Sequence, residues 1–311
     1  MNAPPRFASG FVTIVGRPNV GKSTLTNLLV GQKVSIVSDV PQTTRRRIHG
    51  IVHHPRGQIV LVDTPGIHRP QHAMNRWMVA EATGSMQEVD LILFMVEAAP
   101  GRRPGADPGI GPGDRFILSQ LPRQGPPVVL AINKIDLVRK EQLLPLIDRV
   151  KNLFPFREIL LMSALTGENA GDLAERLLAH LPEGPALYPQ DQPTDQHERR
   201  MAAELVREKI LHHTRQEIPH ETAVLIDRFE RADSGLITIE ASILVEKESQ
   251  KKIVIGHEGQ MLKVVGSEAR AELEDLLDGR IFLKLWVKVR QGWRDDERTL
   301  RELGIGPAGS G

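Results

Sequence analysis
Residues 16–24 read Gly16-Arg17-Pro18-Asn19-Val20-Gly21-Lys22-Ser23-Thr24, which fits G-x-x-x-x-G-K-[ST]. An apolar run, FVTIV, precedes the motif and a helix-like run, TLTNLLV, follows it. The glycines therefore lie in a strand-to-helix turn, where backbone N–H groups and a helix N-terminus can wrap the α- and β-phosphates of a nucleotide. Lys22 would reach the β- and γ-phosphates, and the Ser23 hydroxyl would ligate Mg2+. Alone, such a string could be an ordinary glycine-rich turn, so its companions decide.

A second apolar run ends in Asp63-Thr64-Pro65-Gly66, followed by Ile67. Asp63 can hold Mg2+ through water, and the Gly66 N–H can meet a γ-phosphate. A simple turn is the alternative, which its place at the end of a core strand disfavours. Between the two motifs lies SDVPQTTRRR, residues 38–47, polar, basic and aperiodic. A hydroxyl from Thr43 or Thr44 would complete the Mg2+ shell when a γ-phosphate is present, and Thr44 is favoured. A loosely held surface loop is compatible with that role, since such a segment must order and release. Asn133-Lys134-Ile135-Asp136 selects the base: the Asp136 carboxylate can accept from N1–H and N2–H2 of guanine, whereas adenine offers no donor on that edge. Ser163-Ala164-Leu165 would bring a backbone N–H towards the guanine O6. These motifs, in order, imply a site for GTP and GDP with Mg2+.

The elements that must position these residues follow from continuous apolar runs at 11–15, 59–62, 91–96, 128–132 and 159–162. Runs without alternation suit a parallel sheet buried on both faces. Helical stretches at 22–30, 74–87, 116–121, 141–154 and 173–181 alternate with them, which implies a doubly wound α/β domain with its ligand at the carboxyl ends of the strands. The Gly/Pro-rich stretch 99–114 reads as a loop whose Arg102 and Arg103 either touch RNA or keep it solvated.

At 311 residues, 40% apolar and 25% charged, the chain has the composition of a soluble globular protein of two domains. It contains no cysteine, which excludes disulfides and thiolate metal sites and points to a reducing compartment. No run approaches the ~18 apolar residues of a membrane span, and the N-terminus lacks a secretory core, so a cytoplasmic protein is expected. The net charge of +1 conceals about +6 over residues 1–182 and −5 over residues 183–311. RNA binding by the second half would need its basic residues gathered on one face.

The expected boundaries are a nucleotide-binding domain at 1–182, a proline-rich linker at 183–197 and a second domain at 198–311. Tyr188, the only tyrosine, would pin the linker to a neighbour. The second domain reads as a helix at 197–214, antiparallel strands at 222–229 and 235–245, a short strand at 253–255, a G-x-x-G turn, a helix to about 277 and a last strand at 281–290. That order resembles a KH domain of type II, an α+β fold whose G-x-x-G loop lets a backbone pass close to unpaired nucleotides. The candidate RNA contacts at the loop are Lys251, Lys252, Ile255, Gly256, His257, Glu258, Gly259, Gln260 and Lys263. On the last strand, Lys284, Trp286, Lys288 and Arg290 share a face with Phe282, suited to stacking and phosphate contact or to packing on the first domain. The loop centre is His257-Glu258 where a basic residue is common, which weakens direct phosphate contact.

With four nucleotide motifs on successive strands, the chain resembles the translation-factor-related P-loop GTPases, and GRPNVGKST with PQTTRRRI and DTPGIH resembles the Era-type GTPases. That resemblance covers both domains. It implies GTP hydrolysis at Lys22, Asn19, Thr44 and Gly66, binding of the single-stranded 3′ end of small-subunit ribosomal RNA, and a role in assembly and maturation of that subunit. Small GTPases carry a water-orienting glutamine where this chain has Ile67, so catalysis must be arranged otherwise. The resemblance implies that Asn19 helps to hold K+ beside the phosphates; as an alternative, Asn19 is only a turn residue. A monomer is expected, with a peripheral contact to the inner face of the cell membrane left open. The competing functions are large-subunit assembly, tRNA modification and a passive RNA-binding scaffold with a vestigial nucleotide site.

Overall fold
The computed structural model describes residues 7–68, 70, 72–98 and 110–306. In chain order the first half holds β1 (Ala8–Gly16), α1 (Lys22–Val30), β2 (Ile48–His54), β3 (Gly57–Asp63), α2 (Ala73–Gly84), β4 (Leu91–Glu97), α3 (Pro112–Gln120), β5 (Val128–Asn133), α4 (Leu143–Val150), β6 (Glu158–Leu161) and α5 (Ala170–Ala179). The strands form one sheet in the order β2-β3-β1-β4-β5-β6, parallel except for the β2–β3 pair. Every residue of β3 and β5 is buried, as their unbroken apolar runs require. Alternate residues feed two cores. Val12, Ile14, Leu61 and Leu93 pack with Leu25 of α1 and Leu173 and Leu177 of α5, whereas Val15, Ile92 and Phe94 pack with Ile117 of α3 and Leu146 of α4. The sheet is thus doubly wound, and its register sets Ile14 beside Asp63 and Glu97 beside Asn133.

The chain separates into two compact units, the second comprising 196–311 together with Ser38–Thr43 and the segment around 72–77. Residues 183–195, expected as a linker, belong to the first unit. They run along the free edge of β2, where Ile51 N–H donates to the Pro193 carbonyl at 2.8 Å and Thr194 Oγ1 to the His49 carbonyl at 2.7 Å. Covering that edge removes a row of unpaired backbone groups. The buried amide of Gln58 fixes the segment, accepting from the N–H groups of Leu187 and Tyr188 at 2.7 and 2.9 Å and donating to the Tyr188 carbonyl at 2.8 Å. Tyr188 is held here through its backbone, and its hydroxyl reaches Asp195 at 3.4 Å.

The second unit contains α6 (Glu198–His213), α7 (Ile218–Glu221), β7 (Ala223–Arg231), β8 (Ile237–Val245), α8 (Glu248–Ile255), α9 (Gln260–Leu277), β9 (Ile281–Val289) and α10 (Glu297–Glu302). Its sheet has the order β7-β8-β9, antiparallel then parallel. One expectation is overturned: residues 253–255 are the last turn of helix α8 and not a strand. Only Val254 of that apolar triplet is buried, while Ile253 is exposed, so the run serves one face of a helix. The segment 72–77 is held within this unit by Asp295, whose Oδ1 accepts from Ala73 N–H at 2.8 Å, and by the Arg294 carbonyl, 3.1 Å from Met74 N. Among the described residues, no helix is long and apolar enough to cross a membrane. Most of the loop 99–114, Arg102 and Arg103 included, lies outside the described residues.

Gln58→Ala strands two backbone N–H groups that its amide serves. We expect a loss of about 2–3 kcal/mol in urea unfolding and faster amide exchange across 185–195; unchanged exchange there would contradict the role assigned to Gln58.

Candidate functional site
The four nucleotide motifs lie at the carboxyl ends of β1, β3, β5 and β6, as the doubly wound sheet demands. Gly21 has φ 102°, and a Cβ there would lie 2.3 Å from Asn133 Nδ2, so the turn accepts only glycine. The Asn133 amide joins the phosphate loop to the base loops: Nδ2 donates to the Val20 carbonyl at 2.7 Å, and Oδ1 accepts from Ala164 N–H at 2.8 Å. Lys134 adds a second tie, its Nζ donating to the Asn19 carbonyl at 2.8 Å and to Glu97 at 2.5 Å. Arg17 is directed sideways, with Nε 2.7 Å from Asp114 at the start of α3. Burial holds that carboxyl above its ordinary range, against the pull of Arg17.

Lys22 and Asp63 are both buried. Burial lowers the Lys22 ammonium to about 8, opposed by the attraction of Asp63, and its Nζ rests on the Arg17 and Gly16 carbonyls at 3.2 and 3.4 Å. Burial likewise raises the Asp63 carboxyl, opposed by Lys22 and by the Ser23 hydroxyl. Ser23 Oγ donates to Asp63 Oδ2 at 2.7 Å and lies 2.9 Å from Thr44 Oγ1. Asp63 Oδ1 is buried with no hydrogen-bond partner among the described residues. Three oxygens converging beside an unsatisfied carboxylate oxygen form a hard donor set that fits Mg2+. Thr43 Oγ1 instead donates to the Val40 carbonyl at 2.6 Å.

The D-T-P-G turn is fixed by Thr64, whose Oγ1 donates to the Ile14 carbonyl at 2.7 Å, and by Ile67 N–H, 3.2 Å from the Gly16 carbonyl. Pro65 and Gly66 are buried within it, and Ile67 packs into the core with Val15 and Ala82. Asp136, in the turn Ile135–Leu137, is exposed and has no partner among the described residues, so its carboxylate is available to a base. In this turn Ser163 N–H donates to the Glu168 carbonyl and Ala164 N–H to Asn133 Oδ1 at 2.8 Å, and Leu165 is exposed. Thr24 and exposed Asn19 flank the loop, Asn19 at φ 64°.

In the second unit, α8 ends at Gly256, and the G-x-x-G turn holds Gly256, Glu258 and Gly259 at φ 76°, 50° and 77°. A Cβ at Gly256 would stand 2.7 Å from that of Met261, so this glycine admits the tight entry to α9. His257, Glu258 and Gln260 are exposed on the turn, with Lys252 exposed and Lys251 and Ile255 half-buried on α8. A groove of about 380 Å3 runs from Gly259 between α9 and β9. Leu262, Leu283 and Leu285 give it apolar walls, Gly266 and Ser267 keep it wide, and Lys263 and Arg270 bring positive charge. Lys284, Trp286 and Lys288 stand on the opposite face of β9 and do not line the groove. There Lys284 Nζ lies 4.7 Å from the Trp286 ring centroid and Lys288 3.7 Å from Asp227. Arg290 Nη1 donates to Thr299 Oγ1 and Glu302 at 3.0 and 2.9 Å. Gly259 and Lys263 were among the sequence candidates, whereas Leu262, Gly266 and Ser267 were not, because small and aliphatic residues on a helix carry no chemical signature.

Comparison with known proteins accords with this geometry. The family described as 50S ribosome-binding GTPase matches residues 11–134, and the KH domain family matches 217–294. GTPase Era of Geotalea daltonii and GTPase Era of Geobacter metallireducens are each 50% identical over 299 residues, spanning 96% of this chain and 98% of theirs. A crystal structure of Aquifex aeolicus Era carrying one substitution, bound to GDP·AlF4−, superposes with a TM-score of 0.90 at 41% identity, covering 96% of this chain and 100% of that one. Another, of Era in complex with MgGDPNP and nucleotides 1506–1542 of 16S ribosomal RNA, matches with the same TM-score and identity, covering 96% and 99%.

Asn133→Ala removes both sides of the tie between the phosphate and base loops. Stability should fall by about 2–4 kcal/mol and the Kd for GDP should rise at least tenfold, by denaturant unfolding and calorimetry; an unchanged Kd would contradict this account.

Proposed function
The chain belongs to the GTPase Era family, and from that membership we propose that GTP bound at the first unit governs how its KH unit holds the single-stranded 3′ end of small-subunit ribosomal RNA during subunit assembly and maturation. The observation that carries this reading is the presence, in one chain, of an assembled oxygen set at Ser23, Thr44 and Asp63 and of an apolar groove rimmed by Lys263 and Arg270. The Era structure solved with MgGDPNP and a 16S ribosomal RNA fragment supports it.

Lys22 donates to the β- and γ-phosphates, and the Leu165 N–H and the Asp136 carboxylate read the guanine edge. When bound, Mg2+ neutralises charge on the phosphate oxygens. Ile67, buried at 1% exposure, supplies no acid–base group, so charge neutralisation and the exclusion of water must carry catalysis. K+ held beside Asn19 would add to that neutralisation. In the groove, bases rest on the leucines while Lys263 and Arg270 meet phosphates. The stacked Lys284 and Trp286 offer a second contact outside the groove. Location in the cytoplasm as a monomer, with peripheral membrane contact, accompanies this reading. A vestigial nucleotide site is disfavoured, since burying Lys22 beside Asp63 costs stability that only a ligand restores.

Two measurements test it. Hydrolysis should be faster in K+ than in equimolar Na+, and equal rates would remove the role of Asn19. Affinity for a single-stranded oligonucleotide of the ribosomal 3′ end should differ at least about fivefold between protein loaded with a GTP analogue and with GDP; equal affinities would remove the coupling.

A further inference from the structure
Arg17 occupies the second position of the phosphate loop, yet its side chain lies against the first turn of α3. Its Nε donates to Asp114 Oδ1 at 2.7 Å, and the Asp114 side chain is fully buried. The other carboxylate oxygen accepts from Gly111 N–H at 3.0 Å. Burial raises the Asp114 carboxyl, and the Arg17 guanidinium opposes that rise, so the pair holds the anion in place. The Arg17 stem crosses α3 at Gly113, where a Cβ would stand 2.6 Å from Arg17 Cδ and 3.3 Å from Cγ. Glycine weakens a helix relative to alanine, so its presence at the second residue of α3 is explained by the room that Arg17 requires.

The backbone of the same residue seats the phosphate lysine. Lys22 Nζ donates to the Arg17 carbonyl at 3.2 Å and to the Gly16 carbonyl at 3.4 Å. Pro18 follows, and a residue that precedes proline has a restricted backbone, so anchoring the Arg17 side chain leaves its carbonyl little freedom. Glu97 at the end of β4 extends the arrangement, lying 4.0 Å from Arg17 Nη2 and accepting from Lys134 Nζ at 2.5 Å. Lys134 in turn donates to the Asn19 carbonyl at 2.8 Å. Asp114, Arg17, Glu97 and Lys134 thus form a row of alternating charge along the peptide 17–19.

We propose that Arg17, clamped by Asp114 and Gly113 of α3, is a positioning residue that aims Lys22 at the β-phosphate. The side chain is fixed on α3, and the carbonyl then holds the ammonium where the phosphate enters. This rests on the reading of the site as one for guanine nucleotides, and it adds α3 to the elements that set phosphate affinity. A displaced Arg17 must weaken nucleotides that carry a β-phosphate and spare GMP, which lacks the group that Lys22 meets. General loss of the fold would weaken both.

The test is a cycle of wild type, Arg17→Ala, Gly113→Ala and the double variant, read as Kd for GDP and for GMP by calorimetry and as thermal unfolding. Each single variant should raise the Kd for GDP about tenfold and leave that for GMP within about twofold. Gly113→Ala should unfold no earlier than wild type, because alanine favours the helix. The atoms nearest a Cβ at 113 all belong to Arg17. The double variant should therefore bind GDP within about twofold of Arg17→Ala alone. Arg17→Lys, which keeps the charge and a stem, should fall between wild type and Arg17→Ala. Unchanged GDP affinity in the single variants, equal losses for GDP and GMP, or losses that multiply in the double variant would each overturn the proposal. Should Arg17→Ala fail to fold, Gly113→Ala and Arg17→Lys carry the comparison. A wild-type protein that binds no guanine nucleotide would overturn the reading of the site as well, whereas normal wild-type binding with unaltered variants would remove this inference alone.

Discussion
Lys22 at the first turn of α1 and Asp63 at the end of β3 place opposite charges in the interior, and the nucleotide site is built around that constraint. Burial works against both charges, holding the ammonium down near 8 and the carboxyl up, and their mutual attraction returns only part of the loss. Ser23 satisfies one oxygen of Asp63 and leaves the other without a donor. Such an arrangement is stable in a folded protein only as a receptor, complete when phosphate oxygens and a hard cation supply the missing partners. The loops around it are tied by neutral groups: the Asn133 amide, the Thr64 hydroxyl and backbone N–H groups. Neutral ties hold the loop shape without competing with the phosphates for charge.

The same logic separates scaffold from switch. Phosphate and base loops are fixed by the buried bonds of Asn133 and Thr64, whereas the turn before Thr44 holds Gln42 in the left-handed region at φ 68°. The segment 72–77 is likewise held by Asp295 and the Arg294 carbonyl. Residues 38–43 and 72–77 belong to the second compact unit.

Much of this was legible in the sequence, for physical reasons. Unbroken apolar runs can only be doubly buried strands, so β1, β3, β4 and β5 were readable, and the motifs at their ends followed. Strand β2 was not, because Ile48–His54 mixes three histidines and a glycine into a short edge run that shows neither period. The triplet 253–255 read as a strand because three β-branched residues in a row mimic one, although only Val254 is buried. The stretch 183–195 read as a linker from its prolines and acids, and nothing marks Gln58, a lone amide in an apolar strand, as its anchor. Arg207 carries no signal either. On a helix with charged neighbours it resembles any solvated arginine, and only the fold shows it buried against a carbonyl.

The most direct measurement is calorimetric titration of the purified, nucleotide-free protein with guanine and adenine nucleotides in the presence of Mg2+. The account predicts tight binding of GDP and of a GTP analogue and at least a hundredfold weaker binding of the adenine counterparts, because Asp136 would face a base edge without donors. Equal affinity for the two bases, or no binding of guanine nucleotide, would contradict it.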